Sequence, residues 1–286
     1  MAYLLALGSA ALYGAADFLG GLASRRTSTI TIIVTSQGAG LALLLLLLPL
    51  LPSATPAVRD LSWGGAAGLA GGIGVALLYR ALAVGRMAVV APTTAVCAVM
   101  IPVAAGAFFG ERLTTVTVLG IALAIVAIVL VSQQAAVASA AVRAGALPPG
   151  VGIALASGVA IGLFFLALAE TEARAGMWPL VAARAASVTL FSVIALVSAR
   201  PLRMAVPVAR IAVAAGVIDM FANALYLLAT RYGPLSVVVT LASLYPASTV
   251  ILARFALGER LNAWQAAGVA CALVAIALIV TGSRSF

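Results

Sequence analysis

Residues 78–90 read LYRALAVGRMAVV, run through a long apolar stretch to Gly110-Glu111-Arg112-Leu113, and continue as a second apolar stretch to Val131. The same plan returns later in the chain. LYLLATRYGPLSVVV (225–239) leads through an apolar run to Gly258-Glu259-Arg260-Leu261 and a final apolar run. Glu111 and Glu259 lie 148 residues apart, as do Gly85 and Gly233, whereas Tyr79 and Tyr226 are 147 apart. The offset of 148 also aligns ALGSAALYGAADF (6–18) with ALASGVAIGLFFL (154–166), pairing Gly14 with Gly162 and Asp17 with Phe165. A register kept along most of the chain is more than shared Ala-Leu composition, and it reads as a tandem duplication of a unit of about 140 residues.

Composition fixes the solvent. Hydrophobic residues make up 65% of the 286 and charged residues 8%, against about 25% charged in a soluble chain. The chain is read as an integral membrane protein. Its formal charge of +9 comes from sixteen arginines against seven acids. These arginines are scattered between apolar runs and form no basic tract with interleaved aromatics, so nucleic acid is not an expected partner. With no histidine, His-based triads and the usual zinc and haem sites are excluded; no metal and no cofactor are expected. Cys97 and Cys271 sit inside apolar runs, which excludes a disulfide scaffold or a CxxC centre. Gly72-Ile73-Gly74 follows no strand and no Walker motif occurs, so no nucleotide site is expected and an enzyme is not the reading. The apolar start lacks a basic n-region and belongs to the repeat, so it does not read as a cleaved leader.

Ten apolar segments follow, at 3–23, 29–50, 62–83, 88–109, 113–132, 150–169, 177–198, 208–229, 234–256 and 263–281. Crossing about 30 Å of hydrocarbon takes roughly 20 helical residues, which each segment supplies. Continuous apolar runs without alternation suit helices, which satisfy their own backbone in lipid, and not a barrel. The predicted fold is all-α, with ten transmembrane helices in two five-helix repeats and consecutive helices as antiparallel neighbours. The longest connection divides a first repeat (1–134) from a linker (135–149) and a second repeat (150–286). Five spans per repeat make the second enter the membrane from the opposite side, an inverted-topology pair of the kind that supports alternating access. An even span count puts both termini on one side. Arg59, Arg112, Arg174, Arg231 and Arg284 fall on that side, and Arg25, Arg26, Arg86, Arg143, Arg200, Arg203, Arg210 and Arg260 on the other. The positive-inside rule taken alone therefore prefers external termini. Trp63, Trp178 and Trp264 each stand at a span start, as interfacial anchors do.

A Leu-Tyr pair, an alanine and a glycine soon after, a span closed by Gly-Glu-Arg-Leu and a last apolar helix, all occurring twice, resemble the EamA group of the drug/metabolite transporter superfamily. The opening LYGAADFLGGLASRR (12–26) is similar to members of that group. The resemblance covers essentially the whole chain. It implies ten helices, cytoplasmic termini in a bacterial plasma membrane, and a central cavity lined by the first four helices of each repeat. It also implies secondary transport, often export, of small metabolites. The implied orientation opposes the arginine count, and the resemblance is followed.

Polar residues within the spans are the candidate cavity groups. A mid-membrane aspartate costs about 2.5–3.5 kcal/mol on insertion scales and so faces protein or water. Asp17, one helical turn after Tyr13, is a candidate for a cationic group or a coupling proton. Asp219, Asn223 and Tyr226 form one stripe on the eighth span. Arg184, and Arg80 beside Tyr79, are candidate partners of these acids or of an anionic substrate, with snorkelling the alternative for Arg80. Thr93 and Thr94 in the fourth span, and Thr240, Ser243 and Tyr245 in the ninth, add weaker polarity. Pro92, Pro102 and Pro246 interrupt those two helices and offer hinges or freed carbonyls. Glu111 with Arg112, and Glu259 with Arg260, read as structural or gating pairs at helix junctions. The expected partners are membrane lipids, a small-molecule substrate and protons. The competing class is a non-transporting scaffold or lipid-interacting protein; a channel would need a more continuous polar lining.

Overall fold

The computed structural model describes residues 1–85, 87–111, 113–131, 150–199, 202–249, 252 and 263–282. Arg112, Glu259, Arg260 and the whole of the linker lie outside the described residues. Among the described residues every regular element is helical. The α-helices are α1 (Ala2–Ser24), α2 (Thr29–Leu47), α3 (Val58–Val84), α4 (Met87–Phe108) and α5 (Thr115–Val131) in the first half. They are followed by α6 (Val151–Ala169), α7 (Trp178–Val197), α8 (Val206–Thr230), α9 (Leu235–Ala242) and α10 (Ala263–Gly282). Six helices are long and apolar enough to cross a membrane: α1, α2 with its 3-10 extension to Leu50, α3, α6, α7 and α8. Four shorter apolar stretches, Thr93–Phe108, Thr115–Leu130, Leu235–Thr249 and Ala266–Gly282, lie in the remaining segments.

Helix ends follow the punctuation. Pro49 tightens the end of α2 into a 3-10 turn. Asp60 caps the start of α3 by accepting the Ala57 N–H at 2.9 Å. Prolines occupy the first turns of α7 and α8, where no intrahelical donor is lost. Gly110, at φ +80°, ends α4. There the Glu111 N–H reaches the Gly106 carbonyl at 2.9 Å and the Gly110 N–H reaches Ala107 at 3.3 Å, a Schellman motif that a residue with a Cβ would strain. One correction concerns the prolines: α4 runs unbroken through Pro92 and Pro102. In the ninth segment the helix stops at Ala242, turns at Ser243-Leu244 and resumes over 245–249. Pro246 has no N–H for the Ala242 carbonyl, which accounts for the break.

A second correction concerns packing. Consecutive helices touch only sparingly, and the main partner of each helix comes from the other half: α1 with α8, α3 with α6 and α7, α4 with α6, α2 with α8, and α5 with α10. Exchanging the halves maps this pattern onto itself. Ser9 of α1 donates to the Ala222 carbonyl of α8 at 2.8 Å, and Ser157 of α6 donates to the Gly74 carbonyl of α3 at 2.7 Å. Both residues of one bond are displaced by 148 from those of the other. Gly68 of α3 and Gly216 of α8, also 148 apart, behave alike. A Cβ on Gly68 would enter the Ala183 backbone of α7, and one on Gly216 the Ser36 backbone of α2. Between apolar helices in lipid, dispersion and close backbone approach replace the hydrophobic drive, so small residues at crossings carry the packing.

One face of the bundle is tied by polar contacts. The Glu111 carboxylate accepts from the Ser236 hydroxyl at the start of α9 and, at 3.3 Å, from its N–H. The Thr114 hydroxyl donates to the Gly282 carbonyl at 3.1 Å, and Gly233 packs on Ala2. On the same face Asp60 accepts the Glu172 N–H at 2.8 Å, and Arg231 donates to the Thr171 carbonyl and hydroxyl. Ala2 and Gly282 therefore stand at one face.

The crossings give a direct test. Gly216→Leu is expected to destabilise the bundle by about 1–3 kcal/mol through overpacking. Gly65→Ala, where nothing lies within 4 Å, should stay within about 0.5 kcal/mol. Thermal unfolding of both variants in detergent reads the difference.

Candidate functional site

The two glycine crossings hold α2 against α8 and α3 against α7, and so bring the polar residues of these apolar helices to one level. Arg184 of α7 donates through Nη1 to Gln37 Oε1 of α2 and through Nη2 to Asp219 Oδ2 of α8. Ser187, one turn along α7, adds a hydrogen bond to Gln37 Oε1 at 3.1 Å. Asn223 donates to the Asp219 backbone carbonyl at 2.6 Å and accepts the Tyr13 hydroxyl at 2.9 Å. Ser187, Gln37, Arg184, Asp219, Asn223 and Tyr13 thus form one continuous network across four helices and both halves. Arg184 is 6% and Asp219 8% exposed. Two charges this deep persist because each neutralises the other, with Gln37 accepting a further hydrogen bond from the guanidinium.

The network lines a cleft with about 620 Å³ of empty space, a figure that includes its open mouth. Its walls differ in chemistry. Tyr13 and Asp17 of α1, with Asp219 and Asn223 of α8, make the polar wall; Gly71, Gly72, Val75 and Leu78 of α3, with Ile161, Phe164 and Phe165 of α6, make the apolar one. The walls occupy matched positions in the repeat: Tyr13 corresponds to Ile161, Asp17 to Phe165, Asp219 to Gly71 and Asn223 to Val75, each at the 148 offset. Asp17 is 8% exposed and has no hydrogen bond or ion pair among the described residues.

The other sequence-predicted residues are distributed as follows. Tyr245 lines the cleft, its hydroxyl 3.5 Å from the Ala91 carbonyl. Tyr226 is buried behind Phe165, donating to its carbonyl at 2.9 Å with the rings 4.6 Å apart. Tyr79 is buried, its ring filling the space beside Gly20. Thr94 donates to the Ala154 carbonyl at 3.2 Å and Thr240 to the Ser236 carbonyl at 2.6 Å, both of them packing roles. The Ser243 hydroxyl is buried at the break after α9 without a partner among the described residues, as is Glu111 Oε1. Thr93 is partly exposed and engaged elsewhere. Arg80 projects to the outside of α3, away from the cleft. Gln37, Ser187, Phe164, Phe165 and the aliphatic lining of α3 and α6 are among the lining residues that the sequence reading did not propose as site residues. The repeat register held the signal for Gln37, since the offset of 147 that aligns the tyrosines also takes Gln37 to Arg184.

A bundle of apolar helices, six of them long enough to cross a membrane, around a cleft that holds a buried ion pair defines an integral membrane protein. The model of the EamA-like transporter family matches residues 1–133 and again residues 148–281. The chain belongs to the EamA-like transporter family, and is a membrane transporter of the drug/metabolite transporter superfamily. A solved structure described only as "Crystal structure of protein" shares the fold at a TM-score of 0.67 and 20% identity, over 99% of this chain and 98% of that one. Comparison with curated proteins gives no match.

The ion pair makes a sharp prediction for stability. Arg184→Gln or Asp219→Asn alone leaves one buried charge unpaired and should cost about 3–5 kcal/mol. The double variant, which buries no charge at this point, should recover much of the loss. A double-mutant cycle by thermal unfolding in detergent measures the coupling.

Proposed function

We propose that the protein is a secondary active transporter that moves a small amphipathic metabolite or drug-like solute by alternating access, with the cleft between the halves as its substrate site. The observation that carries this reading is the cleft itself. It lies between the repeats, is lined from both, and holds a charged network that a merely structural bundle would replace with apolar packing at lower cost. The exchange symmetry of the contacts supports ten spans arranged as inverted repeats, since such a pair lets one half take the conformation of the other. Asp60, Glu111, Thr171 and Arg231 tie the face that holds Ala2 and Gly282. We take this closed face as one gate of the cycle, cytoplasmic in a bacterial plasma membrane, with export as the direction. A scaffold role has no use for the cleft and is not favoured.

Proton coupling through Asp17 or Asp219 belongs to the same proposal, supported by two buried carboxylates on one cleft wall. Counterflow in proteoliposomes, with a pooled metabolite library and mass-spectrometric readout against protein-free vesicles, tests transport. Saturable accumulation of a solute is expected. Absence of accumulation with monodisperse protein of either orientation would overturn the reading. Uphill flux driven by a pH gradient should be lost in Asp17→Asn or Asp219→Asn; its survival in both would place coupling elsewhere.

A further inference from the structure

The charges around the cleft do not balance evenly. Arg184, the cationic residue on the lining, is already committed to Asp219 and Gln37. Asp219 is neutralised by that ion pair, and its backbone carbonyl is taken by Asn223. Tyr13 spends its hydroxyl proton on Asn223. Asp17 is then the lining carboxyl left without a cationic partner among the described residues, although it is buried to 8% exposure. An anionic substrate would have to displace Asp219 or Gln37 from Arg184 while facing Asp17. A cation meets no such competition.

The opposite wall defines the rest of the ligand. Phe165 occupies in α6 the repeat position that Asp17 occupies in α1. Its ring stands edge-on to Tyr13 at 6.0 Å and beside Phe164 at 5.5 Å. Ile161, Val75 and Leu78 extend that surface, which offers no oxygen ligands to a bare metal ion. The matched positions therefore present a carboxylate for a charge on one side and aromatic rings for an apolar body on the other.

Resting on the reading of the cleft as the substrate site, we propose that it selects organic monocations, an ammonium group carried on an aromatic or bulky apolar body, with Asp17 as the residue that determines charge preference. The test is equilibrium binding to the purified full chain in detergent of three probes that share a ring and differ in charge: phenethylamine, phenylalanine and phenylacetate. Phenethylamine should bind at least about tenfold more tightly than either of the others, since each of them carries an unpaired carboxylate into the site. Asp17→Asn should weaken phenethylamine about thirtyfold or more, and Asp17→Glu should restore most of the affinity. Equal or tighter binding of phenylalanine or phenylacetate by the unsubstituted protein, where no variant has to fold, would overturn the proposal. So would phenethylamine binding indifferent to Asp17→Asn, or binding of none of the three. Library counterflow on the same preparation separates the two readings. Flux of an anion or zwitterion would leave the cleft a transport site and remove only the cation assignment, whereas absence of all flux would remove both.

Discussion

The Arg184–Asp219 ion pair, shared with Gln37, is the interaction on which the interior depends. Neither charge survives alone at this depth, because desolvation outweighs anything a single hydrogen bond returns. The pair therefore requires α2, α7 and α8 to approach closely and stay in register. Gly216 lets α8 lie on the Ser36 backbone, one residue before Gln37, and Gly68 lets α3 lie on Ala183, one residue before Arg184. The glycines at the crossings and the polar residues beside them are one device. Packing brings the charges together, and the charges fix which crossing is used.

Duplication explains the frame, and divergence within it explains the site. Ser9 with Ala222 and Ser157 with Gly74 preserve the same contact on both sides. At the cleft the matched positions no longer agree: Asp17 faces away from its counterpart Phe165 in chemistry, and Asp219 and Asn223 from Gly71 and Val75. A symmetric pair of walls would suit a symmetric or uniformly apolar solute. One wall of acids and amides opposite one of rings and aliphatics suits a solute with two different ends.

Much of this was legible in the sequence, for identifiable reasons. The doubled Gly-Glu-Arg-Leu motif marked the junction where Gly110 ends α4 and Glu111 turns towards α9, because a positive φ and a carboxylate at a helix junction each have a residue signature. Asp17, Arg184, Asp219 and Asn223 stood out because polar groups in apolar runs are costly. Gln37 was missed because a neutral amide carries a weaker signal, and Phe164 and Phe165 because an aromatic in an apolar helix looks the same whether it faces a cleft or lipid. Arg80 illustrates the reverse limit: a long side chain near a helix end reaches outwards as easily as inwards. The dominance of contacts between halves over contacts between neighbours was invisible to a reading of loop lengths, since short loops fix direction and not partner.

The central claim is that solute passes through the cleft between the halves, and labelling of a single lining position tests it most directly. In a Cys97→Ala/Cys271→Ala background, Val75→Cys places a thiol on the apolar wall. Reaction with a charged, membrane-impermeant thiol reagent should abolish counterflow, and transported solute should slow the reaction. Full counterflow after complete labelling would contradict the account, because a path blocked at Val75 could not be the path the solute takes.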